Sequence, residues 1–155
     1  MVDEKKFNRI AISLTDFERA KDFLKESQNH SCGSIAYEAL VFTAIVCYFR
    51  PFSQNEKDRN SRAAVKLDLS DFQPLTDTEK SVHDQCMDLR NKALAHAEIK
   101  YHTTDFDTVT GAVSRTIFTC TGNSPDLHQL SALIDKFIQQ CRNRVADYAH
   151  KNRNP

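Results

Sequence analysis

Ile35-Ala36-Tyr37-Glu38-Ala39-Leu40-Val41-Phe42-Thr43-Ala44-Ile45-Val46-Cys47-Tyr48-Phe49 decides the fold, because it holds a single carboxylate and is apolar on nearly every side of a helix. A helix of that kind belongs in the middle of a bundle, and we read it from about Ser34 to Arg50. Pro51 helps to end it, since the residue before a proline is pushed out of the α region. Arg50 there suits the negative end of the helix dipole. The run falls short of the roughly 20 apolar residues that span a bilayer and contains Glu38, so we expect a core helix and no membrane contact.

Three further helices read outward from it. The first, over 12–28, starts where Thr15 and Glu18 make a capping-box pattern, followed by Phe17, Ala20, Phe23 and Leu24 at helical spacing. The third runs over 78–97, with Thr76 or Asp77 able to cap it. The last, over 125–150, opens at Ser124-Pro125-Asp126 and keeps a stripe of Leu127, Leu130, Leu133, Ile134, Phe137, Ile138, Cys141, Val145 and Tyr148. Two connections separate them. Residues 53–76 are polar and charged, with a weak helical patch near Leu67, and 99–123 is rich in Thr, Val, Ile and Phe around Gly111, as in an extended insertion. The 155 residues therefore predict one domain, an all-α, antiparallel up-and-down bundle of four to five helices. Three glycines and four prolines argue against a turn-dense β architecture.

Composition narrows the chemistry. Twenty-one basic residues balance 21 acidic ones, so any nucleic-acid contact has to come from a local patch. The five cysteines are odd in number and form no C-x-x-C pair, which suits a reducing cytoplasm. His30 with Cys32, and His83 with Cys86, lack further ligands at usable spacing, so neither a metal nor another cofactor is expected. The opening Met1-Val2-Asp3-Glu4-Lys5-Lys6 has no apolar stretch behind it and does not read as a secretory signal.

The third helix carries the site. On a 100°-per-residue wheel Val82, Cys86, Leu89, Ala93 and Ala97 form one apolar stripe, and Arg90 falls within its width. A charge on an inward face is costly unless it is paired or placed at a site. His96 lies about 120° round the axis from Arg90, with the small Ala93 between them, so a second backbone or a substrate can approach closely.

Leu89-Arg90-Asn91-Lys92-Ala93-Leu94-Ala95-His96, together with a preceding apolar helix that ends Cys47-Tyr48-Phe49-Arg50-Pro51-Phe52, resembles the Arg-polar-X(n)-His signature of the HEPN superfamily. It looks most like the small stand-alone members related to abortive-infection and toxin proteins. The likeness extends loosely over 12–50, 77–98 and 124–150 and leaves both connections uncovered. What it implies is a metal-independent endoribonuclease that cuts single-stranded RNA to a 2′,3′-cyclic phosphate in a defence or toxin–antitoxin setting. A composite site across a homodimer is implied as well, with an antitoxin or a nucleotidyltransferase as a possible partner. Arg90 would hold the phosphate, Asn91 would orient the phosphate or His96 through its amide, and His96 would move the protons, roles that suit a permanent forked cation and an imidazole titrating near neutrality. Glu38, His83 and Tyr101 are the supporting candidates: Glu38 to orient Arg90, His83 to line the same cleft, Tyr101 to touch substrate.

Two other readings stay open at this point. One is a non-catalytic HEPN-type module that binds a nucleotide or a protein in the same groove. The other is a helical interaction protein in which Arg90 is structural, paired with Glu38, and His83 is a partly exposed surface histidine.

Overall fold

The computed structural model describes residues 4–53, 66–94, 104–115 and 119–153. Helix α1 spans Glu4–Ser27, α2 Ile35–Phe49, α3 Asp77–Asp88 and α5 Leu127–Arg153, with a one-turn helix α4 over Cys120–Asn123. A two-stranded antiparallel hairpin, β1 (Thr104–Phe106) and β2 (Val113–Arg115), pairs Phe106 with Val113. The class is all-α, and among the described residues the strands lie only in the insertion.

Packing contacts fix the helix directions. Arg9 near the start of α1 donates to the Arg50 carbonyl at the end of α2 (2.5 Å), so these neighbours run antiparallel. Along α1 and α5, Phe7 stacks on Tyr148 with centroids 3.7 Å apart, Glu18 meets Arg142 at 2.8 Å and Lys21 pairs with Asp135, again antiparallel. Phe17 of α1 is the hub of the core. Its ring lies 5.4–6.0 Å from those of Tyr48, Phe52, Phe72 and Phe137.

Several boundaries differ from the sequence expectation. Helix α1 begins at Glu4 rather than near Ser13, and Thr15 and Glu18 sit inside it. Ile10 is buried and Phe7 stacks on α5, which extends the packed stripe toward the N-terminus. Ser13 is fully buried and turns its hydroxyl back onto the Arg9 carbonyl (2.7 Å), a bond made within a helix rather than at its start. The polar connection 53–76 closes into the core at its far end, where a 3₁₀ turn over Leu69–Phe72 buries Phe72, and Leu67 is buried beside it. Nor is α2 enclosed on all sides. Val41, Ala44, Ile45 and Tyr48 are fully buried, but Ile35 is 90% exposed and Ala36, Ala39 and Phe42 are exposed with it.

Candidate functional site

A reciprocal cap sets the start of α3: the Thr76 hydroxyl accepts from the Glu79 N–H (3.2 Å) and the Glu79 carboxylate accepts from the Thr76 N–H (2.7 Å). The same carboxylate takes both hydrogen bonds from Lys136 of α5 (2.8 and 2.9 Å), which fixes α3 against the bundle. Val82, His83 and Cys86 face inward. Past Asp88 the helix widens into a π-helical turn over Leu89–Leu94, a local irregularity that recurs at functional sites. Leu89 is buried at its base, and the next two residues are Arg90 and Asn91.

Arg90 is half-buried. Its Nη1 donates to Asn91 Oδ1 at 2.9 Å, and its guanidinium carbon lies 6.0 Å from the centre of the Phe49 ring, at the outer reach of a cation–π contact. A guanidinium can only donate, so the Asn91 carboxamide points its oxygen at Arg90 and its NH₂ the other way. Among the described residues no carboxylate forms an ion pair with Arg90.

Arg90 instead lines a cleft of about 450 Å³ together with Arg9, Asp16, Val46, Arg50 and Ser53. Arg50 reaches Asp16 at 3.5 Å. Arg9 is only 3% exposed, and its Nε is buried and makes no hydrogen bond among the described residues. Burial lowers the Arg9 pKa, and the nearby Asp16 carboxylate partly offsets that. Arg9 was missed by the sequence reading. The signal was the one that singled out Arg90: Arg9, Ser13, Phe17, Ala20 and Leu24 share one inward stripe, and a cation interrupts it.

The other candidates are placed as follows. Glu38 is in the first turn of α2, at the opposite end from Arg50. It accepts from the backbone N–H groups of Cys120 and Thr121 and from the Thr121 hydroxyl, so it ties α4 to α2 instead of orienting Arg90 or pairing with it. Burial alone would raise its carboxyl, but those bonds outweigh burial and lower it.

His83 is 5% exposed, neither a surface residue nor a lining of the Arg90 cleft. The expectation of a partly exposed histidine fails because α3 turns it into a nest of rings. It sits edge-on to Phe52 at 4.7 Å, with Phe49 at 5.5 Å and the Tyr48 hydroxyl 2.9 Å from Nδ1. Burial pushes its pKa down to about 4 and pushes that of Tyr48 up, so at neutral pH Tyr48 donates to a neutral ring. His96 and Tyr101 lie outside the described residues.

Two other chemistries gain no support. Burial raises the Cys120 and Cys141 thiols to about 12 and Cys86 further, which leaves them un-ionised and poor nucleophiles. Among the described residues no three His, Cys, Asp or Glu side chains cluster closely enough to hold a metal ion. No family model, curated protein or solved structure matches the chain.

Proposed function

We propose that the chain is a HEPN-like, metal-independent endoribonuclease acting as a homodimer in the cytoplasm, in a defence or toxin–antitoxin setting. The observation that carries this reading is the placement of Arg90. Its guanidinium opens on a cleft shared with two other arginines, while Glu38, the carboxylate that a structural role would have used, is engaged at the far end of α2. In the reaction His96 removes the 2′-hydroxyl proton, and the 2′-oxygen attacks phosphorus. The bond from phosphorus to the 5′-oxygen breaks, and that oxygen takes its proton from a protonated His96 as it leaves. Arg90 bears the charge building on the non-bridging oxygens, and Asn91 holds the guanidinium fork by its Oδ1 and offers its NH₂ to the phosphate. The products are a 2′,3′-cyclic phosphate and a 5′-hydroxyl.

The test is cleavage of a single-stranded RNA by the purified chain in EDTA, with the ends of the products identified. Arg90→Ala and His96→Ala should each lower the rate on the order of 100-fold while the far-ultraviolet circular dichroism stays unchanged. Unchanged rates in both folded variants would overturn the assignment. The zero net charge favours a second reading, a non-catalytic module that holds a nucleotide or a protein in the same cleft. That module would bind and never cut.

A further inference from the structure

We propose that Arg9, Arg50 and Arg90 together form a seat for the 5′-phosphate monoester of a nucleotide, either free or at the end of an RNA strand. The seat deepens the nuclease reading because Arg90 is common to both, but its binding does not require any catalysis.

Three observations support it. First, among the described residues three arginines and one acidic residue, Asp16, line the same cleft, a surplus of two positive charges in a chain whose overall balance is zero. A phosphate monoester carries close to two negative charges at neutral pH, its second ionisation falling near 6, whereas a backbone diester carries one. Second, Arg9 is a buried cation with too little among the described residues to offset it. One carbonyl accepts from its Nη2, Asp16 acts from a distance and Nε is left over. A buried charge is costly unless paired, and an anion in the cleft supplies the missing counter-charge. Third, the cations come from three separate elements: the first turns of α1, the residue that ends α2 and the π-helical turn after α3. Packing of the whole bundle brings them together.

Geometry also explains why three are present. The C-terminus of α2 carries the negative end of its dipole and repels anions. Arg9 covers the Arg50 carbonyl at that terminus, and Arg50 and Arg90 then face the cleft. At about 450 Å³ the cleft is far larger than a phosphate ion and lies within the range of small-ligand sites, so it has room for the attached ribose.

Titration calorimetry on the full chain tests the proposal with three ligands: adenosine monophosphate, a short RNA bearing a 5′-phosphate, and the same RNA bearing a 5′-hydroxyl. The 5′-phosphorylated RNA should bind at least tenfold more tightly than its 5′-hydroxyl counterpart. Its affinity should fall as the pH drops below about 6 and the phosphate loses its second charge. Arg50→Gln, chosen because that side chain is 53% exposed and its loss should leave the fold intact, should weaken binding at least tenfold. Adenosine monophosphate binding as tightly as the phosphorylated RNA identifies a free nucleotide as the occupant, and tenfold tighter binding of the RNA identifies a strand end. Equal affinity for the two RNAs, or no effect of Arg50→Gln in a folded protein, overturns the seat. Cleavage run alongside separates the two proposals. Cutting together with equal affinity for the two RNAs sinks the seat alone, and arginine-dependent binding without cutting sinks the nuclease alone.

Discussion

Tyr48 and His83 share one hydrogen bond inside a shell of Phe49, Phe52 and Phe137, and the arrangement is stable only while both are neutral. The folded imidazole titrates near 4 against about 6.5 in an unfolded chain. The unfolded state therefore takes up a proton first on acidification. The stabilisation is complete above pH 6.5 and drains away as the pH falls toward 4, by about 3 kcal/mol in total. Urea melts at pH 7.5 and 4.5 should show that loss, and His83→Phe should flatten the dependence between them. Sequence alone made His83 visible as a titratable group near the motif but not as a core residue, since its neighbours Ser81, Asp84 and Gln85 are polar and the rings that surround it come from α2 and the turn behind it. Arg90 was legible because a cation interrupted a clear apolar stripe. Arg9 interrupted a stripe too, but the stripe's first members lie among Lys5, Lys6 and Asn8, where a third basic residue attracts no notice.

At the scale of elements, the caps make the clearest prediction. Thr76→Ala removes one half of the reciprocal bond at the start of α3 and should cost about 1 kcal/mol in a denaturant melt. Glu79→Ala should cost more, because the same carboxylate also holds Lys136. Faster amide exchange in the first turn of α3 should accompany both. The cap at Thr76 or Asp77 and the Ser124-Pro125-Asp126 start signal were readable because capping is local: Asp126 accepts from the N–H groups of His128 and Gln129 at 2.8 and 3.1 Å. The same locality misled at Thr15 and Glu18, where a capping-box spacing falls in mid-helix because distant packing against α5 carries α1 further toward the N-terminus. The π-helical turn was invisible, since a wheel at constant angle assumes the regular winding that this turn breaks.

Over the whole molecule, Phe17 joins α1 to α2, to the turn around Phe72 and to α5. Phe17→Ala should cost about 3–5 kcal/mol, enough to lower the melting temperature by many degrees, readable by circular dichroism. The all-α class was legible from helical periodicity, whereas the exposed strip of Ile35, Ala36, Ala39 and Phe42 was not: an apolar helix does not reveal how many neighbours will cover it. The widened turn over Leu89–Leu94 has a consequence for how such a bundle can be altered. It amounts to one surplus residue wound into a helix, so deleting one residue there, other than the buried Leu89, would let the coil tighten to regular winding with little net rotation. Loss of a single codon there would be absorbed by the winding, a tolerance denied to an ordinary α-helix, which turns about 100° for each residue removed.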